Sequence, residues 1–289
     1  MVYKDKKIIL FAFATSDLVR SINRLNKQAI HSNYYDEIKI LNPENFDHPM
    51  KEKYKILKKN GETRGYGYWF WKPIFLLKIL NQLNKGDIVH YVDIGCHIQK
   101  KNSRFKDYIE ILIKNDTWIL PFQYYVDSNF SKDIFFVNRF EYQYTKADLL
   151  DYFGFLKNKR ITHTPQFWAG SFFLKNCEES KNFLKEWIGI FEKKFELIND
   201  SSSIKENFEG FIENRHDQSV FSLLCKKYSI TGLSAYECEW GEKRDNRTWE
   251  HNFNNPILAK RDLKFNIIKR FVNRQIKNWN RIKRKIFNN

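Results

Sequence analysis

Residues 85–95 read Lys-Gly-Asp-Ile-Val-His-Tyr-Val-Asp-Ile-Gly. Ile88 to Val92 is a short apolar run entered through a Gly-Asp turn and left at Asp93 and Gly95. A strand of this kind is covered on both faces, as in a parallel or mixed sheet flanked by helices. Its end puts the Asp93 carboxylate at the carboxyl edge of the sheet, where open α/β folds bind their ligands. Gly95 leaves backbone room beside it. Taken alone, Asp93 also has a plainer reading, as a cap for the turn that follows.

Outward from this strand the pattern repeats. Ile8 to Ala14 is an apolar strand ending at Thr15-Ser16-Asp17, with Asp17 placed to cap a helix from Leu18 to Ile30. Asp36 to Leu41 reads as a second strand closed by Pro43, and a Lys-rich helical stretch runs to Lys59. A loop with Gly61, Gly65 and Gly67 leads to Pro73, which suits the first turn of a helix through Leu83. Beyond Gly95 come a helix over Arg104 to Lys114 and a strand at Trp118 to Pro121. Strand and helix alternating in this way predict an α/β sheet of Rossmann type. The second half is less regular: a strand at Trp168 to Leu174, helices over Glu178 to Leu197 and Asp217 to Lys227, and a strand at Tyr228 to Leu233. No internal repeat and no domain linker interrupt the chain before residue 260.

Composition narrows the class. With 289 residues, 42% hydrophobic and 29% charged, the chain is neither disordered nor fibrous. Its apolar runs fall short of the roughly 20 residues that cross a bilayer, and its start lacks the pattern of a secretory signal. Cys96, Cys177, Cys225 and Cys238 are scattered, without the paired spacing of a zinc ribbon, and read as reduced thiols in a cytosolic protein.

Two further clusters carry chemistry. Arg64-Gly-Tyr-Gly-Tyr-Trp-Phe-Trp-Lys72-Pro73 combines open glycines, flat aromatic walls and a lysine just ahead of a proline-started helix, a combination that suits a phosphate with an attached ring. Its plainer reading is an aromatic core plug with a solvated lysine. Asn214-Arg-His216-Asp217-Gln218-Ser-Val-Phe221 opens an amphipathic helix, so that a base, an acceptor and an amide lie together at its mouth. Helix capping accounts for Asp217 alone but not for the triplet.

With Gln166 to Lys175 (QFWAGSFFLK), these pieces give the order strand, GxGYWxWKP, GDxVxYxDxG, QxWAGxFFLK and RHDQSVFSLL. Over roughly residues 7 to 235 the chain resembles the bacterial glycosyltransferases of GT-A fold that build capsular polysaccharide and lipopolysaccharide. The resemblance implies a GT-A-like mixed sheet flanked by helices, a nucleotide-sugar donor across a first half (1–125) and an acceptor glycan against a second (126–260). By position it implies that Ala14 and Thr15 wall the nucleoside, that Asp93 is the first aspartate of the DxD element, and that Asp217 and Gln218 meet the transferred sugar. It likewise implies that Gly170 lies beside the donor sugar, with Trp168 and His216 toward the acceptor. Where the second DxD aspartate would stand this chain has Gly95, which leaves one carboxylate for Mg²⁺ or Mn²⁺ and places metal dependence in doubt. His251 would complete a site with Asp93; alternatively Lys72 or Arg64 neutralises the diphosphate without metal. Asp217 is the carboxylate expected nearest the anomeric carbon. The activity implied is hexosyl transfer from a nucleotide sugar.

Two other classes fit less of the chain. A nucleotidyltransferase usually has a Gly-rich basic loop after its first strand, where this chain has Phe13-Ala-Thr-Ser-Asp17. A non-enzymatic basic protein binding RNA or membrane leaves Lys72, Asp93 and Asp217 without a role.

The net charge of +16 is concentrated at one end, since residues 260–289 hold 11 Lys and Arg against a single acidic residue, Asp262. From 263 onward Ile268, Phe271, Val272, Ile276, Trp279, Ile282 and Ile286 recur at three or four, a cationic amphipathic helix of the kind that lies in a membrane interface. The expectation is a catalytic body (1–260) held by a tail (261–289) on the inner face of the cell membrane, where lipid-linked acceptors are assembled, with no nucleic-acid partner. Each basic residue near an anionic surface is worth about 1 kcal/mol. Deleting residues 263–289 is therefore expected to release most protein from anionic vesicles, and high salt to release the full chain only in part, because its apolar face stays buried. Co-sedimentation of both forms checks this, and equal sedimentation refutes it.

Overall fold

The computed structural model describes residues 5–100, 103–114, 117–128, 130–252 and 254–260. The amphipathic tail read from residue 263 lies outside the described residues.

Six strands form one sheet: β1 (Ile8–Phe13), β2 (Glu37–Leu41), β3 (Ile88–Val92), β4 (Ile119–Gln123), β5 (Phe167–Lys175) and β6 (Leu233–Ser234). Their order is β2-β1-β3-β5-β4-β6. β1 pairs parallel with β2 and β3, β4 parallel with β6, and β5 runs antiparallel between β3 and β4. The register of β4 on β5 shifts between Leu120 and Phe122, around Pro121, which has no N–H to give the ladder.

Every residue of β1 and β3 is buried, as their uninterrupted apolar runs require. Side chains alternate between two cores. On one face Phe11, Tyr91 and Phe172 pack with α3 (Trp71–Leu80), α5 (Glu178–Lys193) and α6 (Asp217–Lys227). On the other, Leu10, Ile88 and Phe173 pack with α1 (Val19–Ser32) and α4 (Ser103–Lys114). α2 (His48–Lys59) lies between β2 and the aromatic loop and is capped by Asp47. This is the mixed, helix-flanked α/β sheet expected from the sequence. No disulfide joins any of the four cysteines.

Two local expectations need correction. Asp17 does not cap α1: it lies in a 3-10 turn, Ser16–Leu18, where its carboxylate accepts from the Thr15 hydroxyl. Tyr228 to Leu233 is not a strand, because the end of α6 takes its backbone. Tyr228, Ser229 and Ile230 donate N–H to the carbonyls of Leu224, Lys226 and Cys225, and pairing begins only at Leu233.

The loop into α3 is a left-handed turn. Gly65, Tyr66, Gly67, Tyr68 and Trp69 all have positive φ, at 57, 59, 88, 53 and 64°. Tyr68 N–H donates to Arg64 O (2.6 Å) and Trp69 N–H to Gly65 O (3.2 Å), closing one left-handed helical turn. Left-handed backbone costs a residue with a β-carbon about 1–2 kcal/mol, and three of these five have one. Packing holds it: Tyr66 stacks on Tyr54 at 3.7 Å, Tyr68 OH donates to Asp200, and the Trp69 indole lies over Gly65, where a β-carbon would stand 2.4 Å from the ring. Gly67 is closed in as well, with Leu57 and Phe70 2.9 Å from where its β-carbon would stand. Gly67→Ala is expected to cost about 1–3 kcal/mol in urea unfolding, from backbone strain plus overpacking. Wild-type stability in this variant would contradict the left-handed turn.

Candidate active site

The left-handed turn delivers the chain to α3 so that Lys72, in its first turn, points inward under the sheet edge. Lys72 is 2% exposed. Its ammonium donates to Asp217 Oδ2 at 2.5 Å and to the Ala169 carbonyl at 3.1 Å, stands 3.9 Å from Asp93 Oδ1, and lies 4.6 Å from the centre of the Tyr91 ring. Four segments far apart in sequence therefore meet at one nitrogen: the start of α3, the end of β3, the start of β5 and the start of α6.

Asp93 follows β3 and its N–H donates to the Gly170 carbonyl at 2.8 Å, where the parallel strands meet antiparallel β5. Tyr91 is two residues earlier, hence on the same side of the strand, and its hydroxyl donates to Asp93 Oδ1 at 2.6 Å. Both contacts fall on Oδ1, and the Asp93 side chain is 38% exposed. Asp217 is set deeper, its side chain 7% exposed. Burial pushes the Asp217 carboxyl up to about 6, opposed by the Lys72 ammonium and reinforced by the Asp93 charge. Burial and the neighbouring Asp93 push the Tyr91 phenol well above its ordinary value, so it remains a donor.

His216 precedes α6 with φ 54° and ψ −116°, a strained conformation for a residue with a β-carbon. Its ring is buried between Tyr68 and Trp69. Nδ1–H donates to the Ile198 carbonyl at 2.6 Å, and Nε2 stands 3.7 Å from Asp200 Oδ1. Burial and the Arg64 charge bring its pKa down to about 4, so the ring is neutral. Asp200 also binds Arg64 (3.3 Å) and the Tyr68 hydroxyl (3.0 Å). This cluster fastens the left-handed turn to the start of α6, and so fixes Lys72 against Asp217.

Several expectations change in this light. Lys72 is neither a solvated lysine nor a free cation for a diphosphate: it is buried and committed to Asp217. Arg64, 41% exposed, is the reachable cation of that segment, although it too has a carboxylate partner. Trp168 and His216 offer no open acceptor wall. Trp168 is buried in the opposite core near Phe122, its indole over Gly170, where a β-carbon would come within 2.4 Å. His216 is buried as described. Ala14 is buried and Thr15 half-buried at the end of β1, on the same carboxyl edge as Asp93 and half-buried Gly95. Gln218 is half-buried and donates to Gln166.

The same edge offers a divalent ion few donors. Asp93 has an ammonium, not a second carboxylate, beside its bound oxygen. His251 is packed edge-on against Phe130 and Phe136, and its Nε2 bonds the Glu239 carbonyl at 3.0 Å. Among the described residues no group of three or more His, Cys, Asp or Glu side chains is arranged to hold a metal ion. The residues present do not fit the metal implied by the resemblance, and Asp93 with His251 is not such a set.

The sequence reading gives Tyr91, Asp200 and Gln166 no role of their own in the site, although Tyr91 and Gln166 are fixed positions of the GDxVxYxDxG and QxWAGxFFLK motifs. The alternation Tyr91-Val92-Asp93 carried a signal for Tyr91, since residues two apart in a strand share a face. Asp200 lies in a polar loop and Gln166 just before a strand, with no periodicity to mark them.

No protein-family model matches the chain, and no curated protein sequence matches it significantly. Among solved structures, the apo form of the glycosyltransferase GlyE from Streptococcus pneumoniae TIGR4 is 15% identical, with a TM-score of 0.37 over 80% of this chain and 46% of its own. A glycosyltransferase involved in glycosylation of the major capsid of PBCV-1 is 8% identical, with a TM-score of 0.41 over 93% of this chain and 99% of its own. Mouse xyloside xylosyltransferase 1 is 10% identical, with a TM-score of 0.40 over 80% and 86%. The chain spans about half the length of GlyE. Likenesses at these TM-scores bear on neither activity nor residue roles.

Removing one member of a buried ion pair leaves a charge uncompensated, at about 3–5 kcal/mol. In Lys72→Met the Asp217 carboxyl should rise above its wild-type value of about 6. A carboxyl raised in the folded state keeps its full stability below the unfolded value and loses it as pH climbs through the folded one. The variant's deficit in urea unfolding should therefore be smaller at pH 5 than at pH 8. A deficit independent of pH would reduce Lys72 to a packing element.

Proposed function

We propose that the protein is a glycosyltransferase that moves a hexose from a nucleotide-sugar donor to a hydroxyl of a growing surface glycan. The observation that carries this reading is the Asp93–Lys72–Asp217 assembly at the carboxyl edge of the sheet, with one carboxylate open and one recessed.

Transfer requires recognition of the donor by its hydroxyls, a stabilised leaving nucleoside diphosphate, and a destination for the acceptor proton. The exposed part of the Asp93 carboxylate accepts from hydroxyls of the donor, beside Thr15, the half-buried member of the expected nucleoside wall. Gly95, half-buried two residues beyond Asp93, sets no side chain beside that carboxylate. Arg64 supplies positive charge for the diphosphate. Asp217, ionised above about pH 6, faces the reacting sugar. It either orients that sugar through its hydroxyls or takes the acceptor proton, and Gln218 adds a second contact. Lys72 keeps both carboxylates within a few ångströms, where their mutual repulsion would otherwise drive them apart or neutralise one.

The acceptor class, a capsular or lipopolysaccharide glycan on a lipid carrier, follows from the sequence resemblance. The basic tail supports it, because a polybasic amphipathic segment draws a protein to the anionic surface where such carriers lie. No described helix is long and apolar enough to cross a membrane, so an interfacial tail would be the attachment.

Thermal unfolding with a panel of nucleotide sugars tests the donor. A ligand that binds only the folded state at 100 times its dissociation constant stabilises it by about 2.7 kcal/mol. At least one nucleotide sugar, and its nucleoside diphosphate, should raise the melting temperature; no shift from any of them would refute the reading. Asp93→Asn should then cut turnover by about 100-fold or more with the melting temperature preserved, since it removes charge but not volume. Asp217→Ala should damage turnover far more than binding of the nucleoside diphosphate. The pH profile of wild-type kcat/KM should rise through about pH 6 as the Asp217 carboxyl ionises.

A further inference from the structure

Gln166 is completely buried just before β5, its side-chain nitrogen facing four oxygens, the most distant the Ser219 hydroxyl at 3.5 Å. Its carboxamide nitrogen meets Glu141 Oε2 at 3.1 Å, the Tyr144 carbonyl at 3.2 Å and the Thr145 hydroxyl at 2.9 Å. The first two are pure acceptors, so this corner of Gln166 must be its NH₂. Glu141 is itself held by Ser222, by Lys226 at 2.8 Å and by Thr145. The oxygen of Gln166 then points the other way, 2.9 Å from the side chain of Gln218. An oxygen can only accept, so Gln218 must turn its own NH₂ inward.

We propose that Gln166 is a positioning residue that fixes the amide of Gln218 with its oxygen outward, so that the sugar subsite beside Asp217 presents acceptors only and selects a sugar with two neighbouring hydroxyl donors. The inference rests on the glycosyltransferase reading. A free Gln side chain presents either a donor or an acceptor; this one is committed by a chain of bonds that ends at a buried carboxylate. A sugar lacking the hydroxyl that meets Gln218 leaves that oxygen unpaired.

Two experiments test it. The first needs no ligand: the melting temperatures of Gln218→Glu and Gln218→Leu are compared at pH 7.5. If Gln166 presents its oxygen, a carboxylate at 218 meets it oxygen to oxygen and Gln218→Glu melts below Gln218→Leu. The reverse order means that Gln166 presents its nitrogen, and overturns the proposal. The second measures calorimetric affinities of UDP-glucose, UDP-galactose and GDP-mannose, of UDP and GDP, and of deoxy forms of whichever sugar binds. Gln166→Leu and Gln218→Leu should each weaken the sugar nucleotide about tenfold, spare the nucleoside diphosphate, and have no further effect on one deoxy donor. A loss in Gln218→Leu but not Gln166→Leu overturns the orientation and leaves the sugar subsite standing. Failure of wild type to bind any of the three donors or diphosphates refutes the donor reading itself, and this proposal with it.

Discussion

A lysine ammonium taken out of water is tolerated only if charge and hydrogen bonds surround it, and the Lys72 site meets that condition with pieces drawn from most of the chain. Asp217, the Ala169 carbonyl, Asp93 and the face of Tyr91 come from α6, β5 and β3. Desolvation of this pair is costly, and an apolar replacement of similar shape would often be at least as stable. A buried ion pair is thus weak as a stabilising device. It does have a chemical consequence: two carboxylates held close together, one recessed and raised toward neutrality, the other open to solvent.

The strain around it follows from the same requirement. For Lys72 to enter from α3, the preceding loop must reverse within a few residues while keeping its backbone bonded, and the left-handed turn does so. Gly65 and Gly67 adopt it without a β-carbon; Tyr66, Tyr68 and Trp69 do so because stacking on Tyr54, bonding to Asp200 and packing over Gly65 hold them. His216, with its own positive φ, closes the cluster from the α6 side. Strained residues therefore flank both the ammonium and its recessed partner, as is common where side-chain geometry matters more than backbone comfort.

Much of the fold was legible because burial on both faces writes itself into sequence as continuous apolar runs. Ile8–Phe13 and Ile88–Val92 are such runs, and the structure has strands there. The place of Asp93 was legible for the same reason, since a strand end is visible in the pattern. What could not be read was pairing across distance. Nothing local to Lys72 distinguishes a solvated side chain from one that is 2% exposed, because its partners lie 19 to 145 residues away. Trp168 and His216 looked like binding surfaces because aromatic and imidazole groups serve both cores and sites, and only the face of β5 and the packing of Tyr68 and Trp69 decide between them. The antiparallel entry of β5, which brings Ala169 and Gly170 to the edge where Asp93 ends, is likewise a matter of topology and not of local pattern.

The central claim is that Lys72 and Asp217 form a buried pair whose carboxyl is poised by opposing forces. Carbon-13 NMR of the Asp217 carboxyl through a pH titration measures this directly. The account predicts a midpoint of about 6 in the wild-type protein, moving upward in Lys72→Met as the opposing ammonium is lost. A midpoint in the ordinary aspartate range of about 4, unchanged by the substitution, would contradict it.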